Sequence, residues 1–130
     1  MTRSIVVRGA AASVLALAAL GGTLALTAGS SSAASKPQIV KLSAVPGQLK
    51  FNTKTLKAKP GLIEIEMTNP SNSGIPHGIA VQGHGQGKPY PDNPGHTATL
   101  SVTLKKGTYT FFCPVPGHEA AGMKGTLVVS

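Results

Sequence analysis

Residues 109–130 read YTFFCPVPGHEAAGMKGTLVVS, and this stretch decides the fold. Apolar and polar side chains alternate as far as Cys113, and a loop rich in proline and glycine then leads to a second apolar run. A period of two indicates a strand with one face in a core and the other in water. The stretch therefore predicts two strands joined by a loop that carries His118 and Met123.

The same alternation recurs earlier in the chain, and glycine- and proline-rich turn signals separate the runs. The predicted strands are about eight, at residues 38–44, 49–52, 55–58, 61–68, 77–82, 98–104, 107–113 and 125–129. Many short strands in one small domain indicate an all-β Greek-key β-sandwich. Segment 83–96 is rich in glycine and proline and is predicted to be a long exposed loop.

The first 34 residues have the layout of a secretory signal. Arg3 and Arg8 precede the uncharged stretch 10–28, and small side chains follow it. This order predicts export and cleavage before Ser35, which leaves one domain at residues 35–130 in the periplasm or on the exterior of the cell envelope. A retained membrane anchor is the alternative, because the apolar stretch is nearly long enough to span a bilayer.

The chain is strongly basic, with 12 lysines and arginines against 4 acidic residues and a formal net charge of +8. Both arginines, Arg3 and Arg8, lie in the predicted signal. A surface with lysines but without arginine forks and interleaved aromatic rings is poorly suited to nucleic acid, so we expect no nucleic-acid partner. The charge is suited to an acidic protein partner, and a plain solvated surface is the alternative.

Cys113 is the single cysteine and cannot form a disulfide within the chain. Four residues separate it from His118, and four more separate His118 from Met123. Thiolate, imidazole and thioether on one loop form a soft ligand set of the kind that suits copper. The trigonal blue-copper arrangement also requires a second histidine, with the methionine as a long axial ligand.

His77 is the candidate for that second histidine. It shares its parity along the predicted strand with Ile79 and Val81, so its ring is expected to point towards the core. His84 and His96 lie among loop residues and are interpreted as surface histidines. On its own, His77 is also consistent with a core histidine that binds no metal; the loop ligands favour the metal interpretation.

This combination resembles the cupredoxins, the small blue-copper proteins that include plastocyanin and azurin. The resemblance covers residues 36–130, and the loop spacing is closest to that of rusticyanin and auracyanin. It implies one copper ion, cycling between Cu(I) and Cu(II), held by His77, Cys113, His118 and Met123. It also implies an electron carrier rather than an enzyme.

One residue departs from the family pattern. Many cupredoxins have an asparagine after the first ligand histidine, and its side chain ties the two ligand segments together; here the residue is Gly78. Pro114 has no N–H to donate. We therefore expect the backbone N–H groups of Gly78 and Val115 to point at the Cys113 sulfur, where such contacts tune a redox potential.

By the same resemblance, the ring edge of His118 is the expected electron port, surrounded by small and apolar residues such as Pro116 and Ala120. The implied partner is another redox protein, for example an acidic cytochrome or an oxidase domain. The carrier is expected to act as a monomer. Membrane contact is expected only through residues 1–34, if they are retained.

Four other interpretations remain open from the residues alone. One is a structural sandwich without a metal, which would leave the spacing of Cys113, His118 and Met123 as coincidence. A thiol enzyme would need a third group to orient His118 as the base for Cys113, and it would leave Met123 unexplained. An extracytoplasmic copper-binding or delivery protein is the stronger alternative. A copper enzyme such as a nitrite reductase would need a second metal site and a longer chain.

Overall fold

The computed structural model describes residues 35–130, and the predicted signal at 1–34 lies outside the described residues. Seven strands form within the described part of the chain. They are β1 (Gln38–Ser43), β2 (Thr55–Ala58), β3 (Gly61–Thr68), β4 (Ala80–Val81), β5 (Thr97–Leu104), β6 (Gly107–Phe112) and β7 (Lys124–Val129). The all-β prediction is thus confirmed.

The strands form two sheets, with the orders β1-β3-β5 and β2-β7-β6-β4. Strands β1 and β2 pair parallel with β3 and β7, respectively, and the other neighbours pair antiparallel. Strands adjacent in a sheet are mostly distant in sequence, and the two sheets enclose one core. This is the predicted sandwich, and it places the end of β6 and the start of β7 side by side, with Phe112 opposite Lys124.

Alternation in the sequence corresponds to burial in the structure. In β3, Ile63, Ile65 and Met67 are completely buried, whereas the residues between them are partly exposed. The same pattern holds in β5. The ring of Phe111 from β6 packs against Phe51, with centroids 5.5 Å apart. The apolar face of each sheet therefore supplies the core, as the period of two predicts.

Two of the predicted strands were wrong in extent. Residues 49–52 form no strand; Phe51 makes one isolated bridge to Ala44, and a tight turn stands before it. The Val45 N–H bonds to the Lys50 carbonyl at 3.0 Å, so the chain reverses at once and leaves no length for a ladder. Phe51 is nevertheless buried, and its burial accounts for the apolar alternation there.

The strand predicted at 77–82 is reduced to the two residues of β4. His77 leaves the sheet and instead forms a bridge to Asp92, while Ala80 forms a second isolated bridge to Gln86. The other predicted strand ends agree with the structure within one residue. Because β4 is this short, His77 does not belong to the sheet whose strand β6 leads into Cys113.

Segment 83–96 is mostly exposed, as predicted, but it is tied down along its length. The Gly87 N–H donates to the Ile79 carbonyl at 2.7 Å, and Lys88 and Thr99 exchange two backbone hydrogen bonds of 2.9 Å. Gly87 and Asp92 are buried. The predicted exposed loop is therefore held in place by backbone hydrogen bonds to its neighbours.

Candidate metal centre

Three potential ligand atoms converge at one end of the sandwich. They come from His77, Cys113 and His118, and all lie within 4.8 Å of one another. The Cys113 Sγ is 3.4 Å from Nδ1 of His118, and the rings of the two histidines lie edge to face with centroids 5.2 Å apart. His77 and Cys113 are completely buried, whereas His118 is partly exposed.

Cys113 and His118 lie on a loop that is bonded to itself. Cys113 directly follows the end of β6, and its N–H donates to the Met123 carbonyl at 3.0 Å. The N–H of Met123 donates to the His118 carbonyl, and that of His118 to the Val115 carbonyl, each at 3.0 Å. Gly117 has a φ of 84°, which turns the chain before His118. The segment from Cys113 to Met123, here called the ligand loop, is thus closed by its own backbone.

His77 is held differently, by a neighbouring segment. Its N–H donates to the Asp92 carbonyl at 2.9 Å, and its carbonyl accepts from the Asp92 N–H at 2.8 Å. The side-chain amide of Asn69 donates to the same Asp92 carbonyl at 2.7 Å and to the Ile75 carbonyl at 3.0 Å. The position of His77 therefore depends on residues that are distant in sequence.

The donor set fits a soft metal cation. Both ring nitrogens of His77 are buried and lack a hydrogen-bond partner among the described residues, an arrangement that is costly unless another ligand contacts them. Burial lowers the pKa of His77, the adjacent His118 lowers it further, and burial also lowers the pKa of His118. Both imidazoles thus favour the neutral form that a metal requires.

The thiol shows the complementary effect. Burial raises the pKa of Cys113, whereas the backbone N–H groups of Val115 and Gly78 lower it. A buried thiolate is therefore disfavoured without a cation and is partly supported by two backbone dipoles. A soft cation beside the sulfur would offset the remaining penalty, because thiolate is the ligand form of cysteine.

Comparison with known proteins agrees with this donor set. Residues 38–130 match the family of copper binding proteins described as the plastocyanin/azurin family. The chain belongs to this family. Family membership and the geometry together show that His77, Cys113 and His118 are positioned to bind one copper ion.

Within the family, the chain is similar to an auracyanin in both sequence and structure. Auracyanin-B of Chloroflexus aurantiacus is 32% identical over 123 residues, a match that covers 72% of this chain and 52% of that protein. The chain thus spans about half the length of this relative. The structure of auracyanin B is similar with a TM-score of 0.61 at 26% identity, covering 74% of this chain and 91% of the other.

A larger copper protein shares the fold. Copper nitrite reductase from Nitrosomonas europaea is similar with a TM-score of 0.59 at 22% identity, covering 73% of this chain but 42% of that chain. At this identity the likeness shows the fold alone. Within residues 35–130, no helix has the length and apolar character needed to cross a membrane.

The structure also places the other predicted residues of this cupredoxin. Met123, at the end of the ligand loop, is completely buried in the hydrophobic core. Pro116 and Ala120 are exposed on the same loop as His118. His84 is exposed and rests edge-on against Tyr109, with ring centroids 5.4 Å apart. His96 is likewise exposed, and neither belongs to the ligand cluster.

Sequence reasoning missed three residues next to the site: Asn69, Tyr90 and Asp92. Asp92 is completely buried, and its carboxyl oxygens lack a hydrogen bond of ordinary geometry among the described residues. Burial raises the pKa of Asp92, and the weaker influences of His96 and the Ala98 backbone lower it. One signal in the sequence indicates that this stretch of segment 83–96 has a defined backbone. Tyr90 and Asp92 lie among three prolines, Pro89, Pro91 and Pro94.

Proposed function

We propose that this chain is an exported type 1 copper protein that carries single electrons between redox partners. The observation that carries the proposal is the grouping of two imidazoles and one thiol, two of the three buried, on the fold of a blue-copper family. His77, Cys113 and His118 would hold the copper ion. The thioether of Met123 would be the fourth ligand, because Met123 is buried and its backbone is hydrogen-bonded to those of both Cys113 and His118.

Copper in this site supplies one-electron chemistry between Cu(I) and Cu(II). The protein's contribution is to hold the donor atoms in nearly the same place in both states. The ligand loop does so through its internal hydrogen bonds, and Cys113 is also attached directly to β6. Rigid support of this kind favours fast electron transfer.

His118 is the proposed route for electrons into and out of the site. It is the partly exposed member of the cluster, whereas His77 and Cys113 are buried. Pro116 and Ala120 are exposed two residues before and two residues after His118, and we propose that these small, apolar side chains let a partner approach closely. The backbone N–H groups of Gly78 and Val115, which favour the thiolate, are proposed to tune the potential.

The charge of the chain supports an acidic redox partner, such as a cytochrome or an oxidase domain. Export through residues 1–34, with cleavage before Ser35 or retention as an anchor, places the carrier outside the cytoplasm. We propose that it acts as a monomer and not as an enzyme. Of the described residues, a single group of histidines and cysteine is arranged for a metal.

Copper delivery is the alternative function, and burial of the ligands argues against it. A protein that hands over copper needs donors that a recipient can reach, yet His77, Cys113 and Met123 are completely buried. The chain has three methionines, and Met67 lies in the core of β3. Exchange of copper with a recipient would therefore require the ligand loop to open.

The first experiment is a titration of the full chain with cupric ion, followed by visible absorption. An intense thiolate-to-copper band is expected in the wild type and in His84→Ala, a matched surface histidine, and it should be absent in Cys113→Ser. The band should also be lost in His77→Ala, because this variant lacks the second imidazole. A pale wild-type spectrum would overturn the proposed copper–thiolate site.

A second measurement separates a carrier from a delivery protein. Repeated reduction and oxidation on an electrode should be reversible, and the copper content should stay constant in the presence of a competing chelator. If the reduced protein instead loses its copper to the chelator within a few cycles, the delivery function is favoured.

A further inference from the structure

Tyr90 lies across the junction between the two ligand-bearing segments. Its hydroxyl donates to the Pro114 carbonyl at 3.0 Å, one residue beyond Cys113. Its ring lies over Gly78, one residue beyond His77: a Cβ at Gly78 would be 3.1 Å from both Cδ2 of Tyr90 and Cδ of Pro114. The tyrosine and Pro114 thus occupy the space that any side chain at Gly78 would need.

Two residues further along, the same segment holds the backbone of His77. Asp92 exchanges its N–H and carbonyl with those of His77, at 2.8 and 2.9 Å. Segment 90–92 therefore contacts the His77 side of the site through its backbone and the Cys113 side through a side-chain hydroxyl. The ligand segments meet directly through the Gly78 N–H at the Cys113 sulfur, but Gly78 has no side chain and Pro114 no N–H with which to add a second link.

We propose that Tyr90 is a positioning residue for the metal centre, which clamps the ligand loop to the His77 segment. The proposal rests on the proposed copper function of the site. It assigns to a third segment the tie that a side chain after the first histidine could otherwise provide. Tyr90 is 38% exposed, so its hydroxyl bonds to water whenever it is not bonded to the Pro114 carbonyl. The clamp therefore adds the net stability of one ordinary hydrogen bond.

The test compares Tyr90→Phe with Tyr109→Phe. These are the two tyrosines of the chain, and each donates its hydroxyl to a backbone carbonyl, since Tyr109 contacts the Lys105 carbonyl at 2.9 Å. Phenylalanine keeps the ring and removes the hydrogen bond in both. The Tyr109 bond closes the turn between β5 and β6, away from the ligand loop, so this variant controls for general loss of stability.

The first readout is amide hydrogen exchange of the copper-free protein at Val115 and His118. Tyr90→Phe should raise exchange at these two amides about fivefold, the effect of one lost hydrogen bond on local opening. Tyr109→Phe should leave them unchanged. Equal exchange in Tyr90→Phe and wild type, or equal acceleration in both variants, would overturn the clamp.

The second readout is the copper-loaded protein. Tyr90→Phe should shift the thiolate-to-copper band and release copper to excess chelator about fivefold faster, because the thiolate and the two imidazoles are held together less firmly. Unchanged band and release would overturn the positioning role. Failure of the proposed copper function differs from failure of the clamp. If the copper function fails, the wild type lacks the band, and amide exchange in the copper-free protein still tests whether Tyr90 clamps the loop.

Discussion

The two regions that supply the proposed ligands are built on different principles. The ligand loop, which carries Cys113, His118 and Met123, is closed by hydrogen bonds among its own residues and is continuous with β6 and β7. The His77 segment has left its sheet and takes its backbone partners from Asp92, fifteen residues along the chain. One region is locally determined, whereas the other depends on tertiary contacts.

This difference has a consequence for stability. Local hydrogen bonds persist as long as the short segment that contains them persists, whereas a bridge between distant segments is lost when either segment moves. The His77 side is therefore expected to open more readily than the ligand loop. Asn69 and Tyr90 add links at this side, to Asp92 and to Pro114 respectively, and both links come from outside the ligand segments.

Removal of copper has the largest expected effect. A ligand that binds only the folded state raises the free energy of unfolding by about 3–4 kcal/mol at free concentrations of about 100–1,000 times Kd. We expect the loss to be uneven, with amide exchange rising more at His77 and Asp92 than at His118 and Met123. Exchange measured by NMR on both forms checks this, and an equal rise in the two regions would contradict the comparison.

Gly125→Ala tests the support that the sheet gives to the ligand loop. A Cβ at Gly125 would collide with the Phe111 ring and approach the Lys54 carbonyl to 2.6 Å. Overpacking of this kind lowers the free energy of unfolding by about 1–3 kcal/mol, and we expect about 2–3 kcal/mol here because backbone as well as side chain must move.

Gly107→Ala is the control, because Gly107 lies on the paired strand and a Cβ there would meet Tyr109 at 3.4 Å, an ordinary contact. Denaturant unfolding measures both variants. We expect the thiolate band to survive in Gly125→Ala, since the loop's own hydrogen bonds remain. Equal stability of the two variants would show that the sheet tolerates the extra methyl group.

Predictability from the sequence follows the same division. The strands were predicted closely, because alternation with a period of two is a local signal, and β3 shows it without interruption. The ligand loop was also recognised, since the spacing of Cys113, His118 and Met123 is visible in one short stretch. Parity predicted an inward-pointing ring at His77, and the structure buries this ring and groups it with Cys113 and His118.

What was not predicted depends on contacts between distant segments. Nothing near Tyr90 or Asp92 in the sequence shows that one reaches Pro114 and the other pairs with His77. Alternation made strand 77–82 too long. The side chains of His77, Ile79 and Val81 are all buried, as alternation predicts, but the backbone of His77 pairs with Asp92 instead of with β6. The axial role of Met123 stays a prediction.

Asn69→Ala tests the dependence of the His77 side on tertiary contacts. The variant removes two side-chain hydrogen bonds, to the Ile75 and Asp92 carbonyls, from a completely buried position. We expect the free energy of unfolding to fall by about 2 kcal/mol, with faster amide exchange at His77. Asn52→Ala, an exposed asparagine that accepts from the Ser43 N–H, should cost less than about 0.5 kcal/mol. Similar losses in the two variants would count against the special role of Asn69.

The smallest effects concern the two glycines that stand next to ligands. Gly117, before His118, has a φ of 84°, and a Cβ added there would have no atom within 4 Å. Conformation alone limits this position, so Gly117→Ala should cost about 1 kcal/mol, and Gly117→Asn should cost less because asparagine tolerates left-handed backbone better. Denaturant unfolding of the copper-free protein gives the order.

Gly78, after His77, is limited by packing instead, since Tyr90 and Pro114 would lie 3.1 Å from a Cβ. The order should therefore reverse: Gly78→Ala should cost about 1 kcal/mol, and the larger Gly78→Asn should cost more. In the background of Tyr90→Ala, which removes one of the two crowding groups, the cost of Gly78→Ala should shrink. An asparagine that is better tolerated than alanine at Gly78 would contradict the crowding of this position by Tyr90 and Pro114.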